Sequence, residues 1–158
     1  MPKGFRIYPA ATPDDLLAVT QLFQGYADSL PVDLAYQDFA AELAGLPGKY
    51  AAPMGALLLA RDDTGAPLGC IALRPLDEGV CEMKRLFLVP EARGMRLGRA
   101  LAEAIIAAAR DRGYRDLRLD TLPSMTSAIA LYEGLGFERI APYYAPTPPG
   151  TVFMALAL

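Results

Sequence analysis

Three arginines and two glycines are crowded into the seven residues from Arg93 to Arg99. They follow an apolar run, Leu86 to Val89, and precede apolar residues at helical spacing, so they fall between a strand and a helix. The first turn of a helix exposes N–H groups without partners and carries about half a positive charge. Glycines let the backbone approach an anion closely, and arginines add full charges. The pattern predicts a phosphate or pyrophosphate site, with a solvated basic helix face as the alternative.

The sequence contains no histidine and only two cysteines, Cys70 and Cys81. This excludes Ser-His-Asp and Cys-His catalysis and His-ligated metals, and two cysteines alone cannot hold a structural zinc. We therefore expect no metal cofactor. Any general base must be a carboxylate, a lysine, a tyrosine, a cysteine or a positioned water.

Positive charge is concentrated in one part of the chain. The stretch from Glu82 to Arg118 has nine basic and five acidic residues, a net charge of +4, although the whole chain carries −3. A basic island in an acidic protein favours one anionic ligand over a long nucleic acid, which needs a wider basic surface. We expect no nucleic-acid partner.

The predicted elements that position these residues follow different patterns in the two halves of the chain. Short turns between successive strands in the first half predict an antiparallel meander. In the second half a helix connects two strands, and such a crossover predicts a parallel pair. The predicted strands are Phe5–Tyr8, Ala56–Arg61, Leu68–Leu73, Val80–Val89, Tyr114–Asp120, Phe137–Ile140 and Thr151–Leu158. The predicted helices are Thr12–Ser29, Asp33–Ala44, Arg93–Arg112 and Ser124–Leu135.

Length and hydropathy set the remaining expectations. The 158 residues, 53% of them hydrophobic, predict one globular domain over residues 1–158. The longest clean apolar run, Met54 to Ala60, is far shorter than the roughly 20 residues that span a bilayer. The N-terminus lacks the apolar core of a signal peptide. We expect a cytoplasmic protein with no membrane partner, and the hydrophobic composition favours a homodimer.

Two motifs resemble those of one family. The stretch Arg93–Gly98 resembles the central motif, Gln/Arg-x-x-Gly-x-Gly/Ala, of the GNAT superfamily of acetyl-CoA-dependent N-acetyltransferases, with Arg96 in place of the middle glycine. The stretch Ala128–Phe137 is similar to the second signature, in which Leu-Tyr precedes a Leu-Gly-Phe turn. Gly98 and Tyr132 are 34 positions apart, as in many members. The order of elements also matches, so the resemblance covers essentially the whole chain.

The resemblance implies an α/β fold and acetyl-CoA as the acyl donor. The fold would be a mixed, mostly antiparallel sheet of six to seven strands, with helices on both faces and a splay between the fourth and fifth strands. Acetyl-CoA would lie in that gap, with its pantetheine paired like an added strand to the backbone of Leu88 and Val89. Its pyrophosphate would meet the segment made of Arg93, Gly94, Met95, Arg96, Leu97, Gly98 and Arg99. We expect a helical backbone at Arg96, because a left-handed one costs about 1 kcal/mol or more.

The resemblance also suggests two catalytic residues. Tyr132 matches the tyrosine that the family places near the CoA sulfur as a general acid; a packed core tyrosine is the alternative. Glu82, on the strand that leads to the cofactor turn, is the candidate base; an ion-pair partner of Lys84 at the surface is the alternative. Simple alternation places Glu82 on one face with Lys84, Leu86 and Leu88, unless a bulge intervenes. A backbone N–H near Leu88 would stabilise the oxyanion.

The acceptor site is expected between the first two helices and the last hairpin. Tyr26, Tyr143 and Tyr144 are the candidate substrate-binding residues, and neighbouring acids such as Asp28, Asp33 and Asp38 would suit a cationic amine. The alternative is that the helical aromatics are core residues and the acids are solvated. The expected reaction moves an acetyl group to a primary amine of a small molecule or peptide by direct attack in a ternary complex. A non-catalytic acyl-CoA-binding or regulatory domain is the alternative.

Overall fold

Seven strands form one mixed sheet in the computed structural model, which describes residues 4–158 apart from the side chain of Tyr36. The strands are β1 (Phe5–Pro9), β2 (Ala56–Asp62), β3 (Pro67–Asp77), β4 (Val80–Leu88), β5 (Asp116–Thr121), β6 (Glu138–Ile140) and β7 (Val152–Ala157). Their spatial order is β1-β2-β3-β4-β5-β7-β6. The predicted mixed sheet is confirmed.

The sheet opens between β4 and β5. All other neighbouring strands pair antiparallel, whereas β4 and β5 are parallel. Their pairing covers only Val80–Glu82 against Asp116–Arg118, although β4 continues to Leu88 and β5 to Thr121. The last halves of the two strands therefore diverge and leave a gap in the middle of the sheet, as predicted.

Four α-helices pack on the two faces of the sheet. They are α1 (Pro13–Ser29), α2 (Phe39–Ala44), α3 (Leu97–Asp111) and α4 (Thr126–Gly134). The buried stripe of α3, including Leu101 and Ile105, packs with Ile71 in one apolar core. Phe23 of α1 packs with Leu59 in a second core on the opposite face. Burying both faces of the sheet supplies the main driving force for folding.

Two predicted helices differ from the structure at points of left-handed backbone. The segment predicted as one helix over Asp33–Ala44 is a 3-10 helix, Leu34–Gln37, followed by α2, with Asp38 between them at φ 57°. Aspartate tolerates that conformation better than most residues. The helix predicted from Arg93 begins at Leu97, because Gly94 and Arg96 adopt positive φ values.

A β-bulge interrupts β4 just where the sheet opens. Ala72 of β3 pairs with Lys84, but Cys70 pairs with Phe87, so β4 holds one extra residue in this interval. Arg85 lies in the bulge with φ 63°. A bulge of this kind re-aims the side chains beyond it.

The bulge changes which residues share a face with Glu82. Glu82 and Lys84 lie on the α1 side of the sheet, and after the bulge Phe87 is on that side as well. Leu86 and Leu88 pack instead against the core on the α3 side. The bulge named as the exception to simple alternation is therefore present, so Glu82 shares a face with Lys84 but not with Leu86 and Leu88.

Candidate active site

A cleft of about 540 Å³ lies where β4 and β5 diverge. This is the size of a typical small-molecule site. The end of β4 contributes Leu86, Phe87 and Leu88, and the loop before α4 together with the first turn of α4 contributes hydroxyl groups. The remaining lining residues are Tyr26, Ser29, Leu30, Pro31, Arg93, Gly98, Ser124, Met125, Thr126, Ser127, Ala128 and Leu131. Three of the predicted cofactor residues, Leu88, Arg93 and Gly98, thus line one cleft.

The first turn of α3 provides backbone donors beside this cleft. Ala100 is the first residue of the helix whose N–H bonds back, to the carbonyl of Arg96. The N–H groups of Leu97, Gly98 and Arg99 therefore lack helical partners. A Cβ on Gly98 would lie 3.6 Å from Leu88 Cδ1, so glycine leaves this wall of the cleft open to a ligand. The side chain of Leu97 is buried in the core, and only its backbone can serve an anion.

Arg96 does not have the helical backbone expected from the sequence. Its φ is 61° and its ψ is 20°, so it is left-handed, and this prediction is wrong. Such a conformation costs an arginine roughly 1–2 kcal/mol. Glycine, which the family motif expects there, would adopt it freely. The position is the N-cap of α3, so the strained residue is the one that turns the chain into the helix.

The three arginines of this segment are exposed but not equivalent. Arg93 lines the cleft. Arg99 pairs with Glu103 one helical turn away, with 2.8 Å between Nε and Oε1. Met95 packs against the α3-side core rather than facing solvent fully. Arg93 is therefore the side chain of this set best placed to meet an anion in the cleft.

The free edge of β4 is presented at Leu88. The N–H of Val89 donates to the carbonyl of Leu68 at 2.9 Å, so Val89 is already paired with the β3 side. Because successive backbone groups point to opposite edges, the polar groups of Leu88 point toward the gap. An extended ligand can pair there with Leu88, and Val89 contributes no free N–H.

Tyr132 is buried in α4 beside the gap. Its ring centroid lies 5.7 Å from that of Phe137. Burial, together with the nearby Tyr26 and Asp120, raises the pKa of Tyr132, so the phenol is protonated at neutral pH. Among the residues that the structure describes, no side chain or backbone group hydrogen-bonds its hydroxyl. Tyr132 belongs to the apolar core on the α3 side and is not among the residues that line the cleft.

Glu82 is buried in a hydrogen-bond network. Its side chain accepts from Arg74 Nη1 at 3.1 Å and from the Tyr143 hydroxyl at 2.5 Å. Lys84 Nζ lies 3.8 Å from its Oε1. Only 2% of Glu82 is exposed, so the alternative of a surface ion pair is wrong.

Asp120 is a site residue that the sequence reasoning missed. It lies near the end of β5, 4.0 Å from Lys84 Nζ, and accepts a 2.5 Å hydrogen bond from the Tyr144 hydroxyl. Burial lowers the pKa of Lys84, while Glu82 and Asp120 on either side act to raise it. The available signal was an acid at the end of the strand that borders the gap.

The loop after β6 spans the gap and contacts the carboxylates of Glu82 and Asp120. The rings of Tyr143 and Tyr144 lie 5.6 Å apart, and both pack edge-on against Phe153 of β7. Their hydroxyls reach different strands, Glu82 on β4 and Asp120 on β5. The loop therefore bridges the splay rather than projecting one tyrosine away from it.

A series of cavities runs through the splay. The cleft shares Tyr26 and Leu30 with a narrow cavity of about 20 Å³ that reaches Asp120. This narrow cavity shares Gln37 and Lys84 with a further cavity of about 350 Å³. We call the last one the acceptor cavity; it is lined by Gln37, Asp38, Lys49, Arg74, Leu76, Glu82, Lys84, Tyr143 and Tyr144. The three predicted substrate-binding tyrosines thus line this series of cavities.

These features form a cleft between two diverging strands, bordered by backbone and arginine donors that suit an extended anionic ligand. The acetyltransferase (GNAT) family profile matches residues 18–137. The chain belongs to the GNAT family and is a GNAT-type N-acetyltransferase. It is 39% identical to an uncharacterized N-acetyltransferase of Schizosaccharomyces pombe, over 99% of this chain and 97% of that protein.

Solved structures share the fold. An acetyltransferase from Streptococcus agalactiae is 25% identical, with a TM-score of 0.78 over 98% of this chain and 99% of that one. A phosphinothricin acetyltransferase from Sinorhizobium meliloti, solved in complex with acetyl-CoA, is 23% identical. Its TM-score is 0.72, covering 100% of this chain and 89% of that one.

No helix within residues 4–158 is both long and apolar enough to cross a membrane. In the same part of the chain, no group of three or more acidic or cysteine side chains is arranged to hold a metal ion.

Proposed function

We propose that this chain moves an acetyl group from acetyl-CoA to a primary amine of a small molecule or peptide, by direct attack in a ternary complex. The observation that carries the proposal is that three cavities adjoin one another along the splay and share lining residues. A cleft with anion-binding groups lies at one end, and a cavity with a buried carboxylate lies at the other. Donor and acceptor would therefore occupy neighbouring cavities and meet near the residues that these cavities share.

The donor fits the groups that border the cleft. The N–H groups of Leu97, Gly98 and Arg99 and the side chain of Arg93 would hold the pyrophosphate. The free backbone edge at Leu88 would pair with the pantetheine amides. Both sets lie on rigid elements, a helix start and a strand end, which favours a fixed position of the thioester.

Glu82 is the proposed general base. The attacking amine must be neutral, and it sheds a proton as its nitrogen bonds to the thioester carbon and the C–S bond breaks. Glu82 lines the acceptor cavity, and Arg74 and Tyr143 hold its carboxylate in place. The proton thus passes from the amine to Glu82, and the electron pair of the C–S bond leaves with the thiolate.

Tyr132 is the proposed partner of the departing thiolate. Full proton transfer from this phenol is uphill, because an ordinary thiol has a pKa of about 8.5, below that of tyrosine. A hydrogen bond to the thiolate is favourable, since it strengthens as charge develops on sulfur. The role of Tyr132 is therefore electrostatic.

Tyr132→Phe is expected to lower kcat about tenfold, because one charge-assisted hydrogen bond is lost in the transition state. The dissociation constant of acetyl-CoA should stay nearly unchanged. Steady-state assays of thiol release and calorimetric titration with acetyl-CoA measure the two quantities. Tyr114→Phe is the matched control: Tyr114 is also buried, but it donates to the Met54 carbonyl instead. Equal turnover by Tyr132→Phe and wild type would contradict the assignment.

The donor site is tested by thermal unfolding with acetyl-CoA, desulfo-CoA and ATP. A ligand at 100 times its Kd stabilises the native state by about 2.7 kcal/mol, which raises the Tm by roughly 5–10 °C. We expect this rise with both CoA compounds and not with ATP, followed by thiol release when amines are supplied with acetyl-CoA. The absence of any rise at saturating CoA would overturn the proposal.

The homodimer and the cytoplasmic location inferred from the sequence stay predictions. In the described part of the chain, the large apolar side chains that remain exposed are Leu17 and Met54.

A further inference from the structure

The acceptor cavity is richer in cations than in acids. Lys49, Arg74 and Lys84 line it, whereas its acids are Glu82 and Asp38. Arg74 and Lys84 both contact Glu82, and Lys84 also lies 4.0 Å from Asp120, which does not line this cavity. Asp38 is exposed at the outer part of this lining.

Arg74 has hydrogen-bonding capacity that the protein does not use. Its Nη1 binds Glu82, but its Nε is buried from solvent and has no partner among the described residues. A buried donor left unsatisfied costs free energy unless a ligand accepts from it. Guanidinium presents its donors in a planar fork that matches a carboxylate.

Lys49 adds a second positive group beside Arg74. No acidic side chain within the described residues forms a salt bridge with it. Partial burial lowers the pKa of Lys49, and so does repulsion by the positive charge of Arg74. An anion between them would remove that repulsion.

Of the three predicted acids, Asp38 lines the acceptor cavity at an exposed position, whereas Asp28 and Asp33 lie elsewhere. Asp33 accepts from the backbone N–H of Ala35 as a helix cap, and Asp28 accepts from Gln24 on an exposed helix face. Neither lines the acceptor cavity. A second positive charge on the acceptor would meet Lys49 and Arg74 there.

We propose that the acceptor is an amine that also carries a carboxylate, which Lys49 and Arg74 bind while the amine faces Glu82. This inference rests on the proposed function. Arg74 contacts Glu82 through one nitrogen and has its spare donor on another nitrogen of the same guanidinium. The two ends of the acceptor therefore lie within a few bonds of each other, which indicates a free amino acid or a similar small amino carboxylate.

The first test compares acceptors that differ only at the carboxylate. Thiol release from acetyl-CoA is measured with L-methionine and L-phenylalanine and with the corresponding carboxamides. The amine of a carboxamide is the less basic of the two and is more often neutral, so intrinsic reactivity favours the carboxamide. We expect kcat/KM to be at least about tenfold higher for the amino acid, in line with a hydrogen-bonded charge pair.

The second test locates the effect at Lys49. Lys49→Gln is expected to raise KM for the amino acid about tenfold, with little change in kcat or in KM for the carboxamide. Lys49→Arg restores the charge and should restore KM. Arg110→Gln removes an equal charge from an exposed position on α3 and should change neither KM nor kcat for either acceptor.

The outcomes separate this inference from the proposed function. Carboxamides used as well as the amino acids, or an equal effect of Lys49→Gln on both, would overturn the inference and leave N-acetyl transfer standing. If neither class is acetylated, calorimetric titration of the same amino acids in the presence of desulfo-CoA decides, and no binding overturns the inference. Failure of both CoA compounds to raise the Tm counts against the proposed function itself.

Discussion

Glu82→Gln is expected to lower kcat by about two orders of magnitude, the lower end of the usual contribution of a general base. Glutamine keeps the shape and one oxygen acceptor for Arg74 and Tyr143, which reduces structural damage. It cannot take a proton from the amine. The Kd of acetyl-CoA should not change, because Glu82 lines the acceptor cavity and not the cleft. Thiol-release kinetics from acidic to alkaline pH measure the effect.

Asp120→Asn and Glu91→Gln complete this experiment. Asp120 is the other buried carboxylate beside Lys84, so it is the competing base. Glu91 is exposed in the turn before α3, and Glu91→Gln is the control that should leave kcat unchanged. If Glu82 is the base, Glu82→Gln gives the large loss of kcat throughout the pH range, and Asp120→Asn keeps most of the wild-type kcat. The reverse pattern would transfer the role to Asp120, and two unaltered profiles would remove both from the mechanism.

Local patterns were sufficient to predict most of the elements and the segment that borders the cleft. Strand and helix periodicity depends on which residues a few positions apart are apolar, and the stripe of α3 from Leu97 to Ala109 is a strong example. The arginines and glycines of the segment Arg93–Arg99 signal an anion through chemistry that any helix start would share. These features need no knowledge of distant parts of the chain.

Features that depend on distant partners could not be predicted. The bulge at Arg85 is a shift in the register between β4 and β3, and the sequence of β4 alone does not indicate it. Asp120 belongs to the site because β5 diverges from β4 just before it. At Arg96 the residue type favoured a helical backbone, but the geometry of the turn overrides this preference. In each case tertiary packing decides the outcome over local preference.

A buried ion pair holds the bulge in place. Arg85 Nε and Nη2 donate to the two oxygens of Glu42 in α2, at 2.8 and 3.0 Å. Both side chains are almost fully buried, at 2% and 5% exposure. The guanidinium also lies over the rings of Tyr26 and Phe39, at 5.7 and 5.2 Å. This pair therefore links the strained residue of β4 to the helical layer that covers it.

Glu42→Gln is expected to destabilise the protein by about 3–5 kcal/mol, because it leaves the charge of Arg85 buried without a counter-charge. The control is Glu103→Gln, since the Glu103–Arg99 pair has the same 2.8 Å separation but more than half of each side chain is exposed. That variant should lose no more than about 0.5 kcal/mol. Urea unfolding measures both. Similar losses in the two variants would contradict the importance of burial.

The pH dependence gives this pair a further signature. Burial alone would raise the pKa of Glu42, but the hydrogen bonds and charge of Arg85 outweigh it and hold the pKa below its ordinary value of 4.5. A lowered folded-state pKa means that the pair stabilises fully above the ordinary pKa and that this contribution is lost as pH falls through the lower, folded-state value. The difference in stability between wild type and Glu42→Gln should therefore shrink in acid.

The double variant Glu42→Gln/Arg85→Gln removes both charges and should recover part of the loss at neutral pH, because the penalty comes from the unpaired cation.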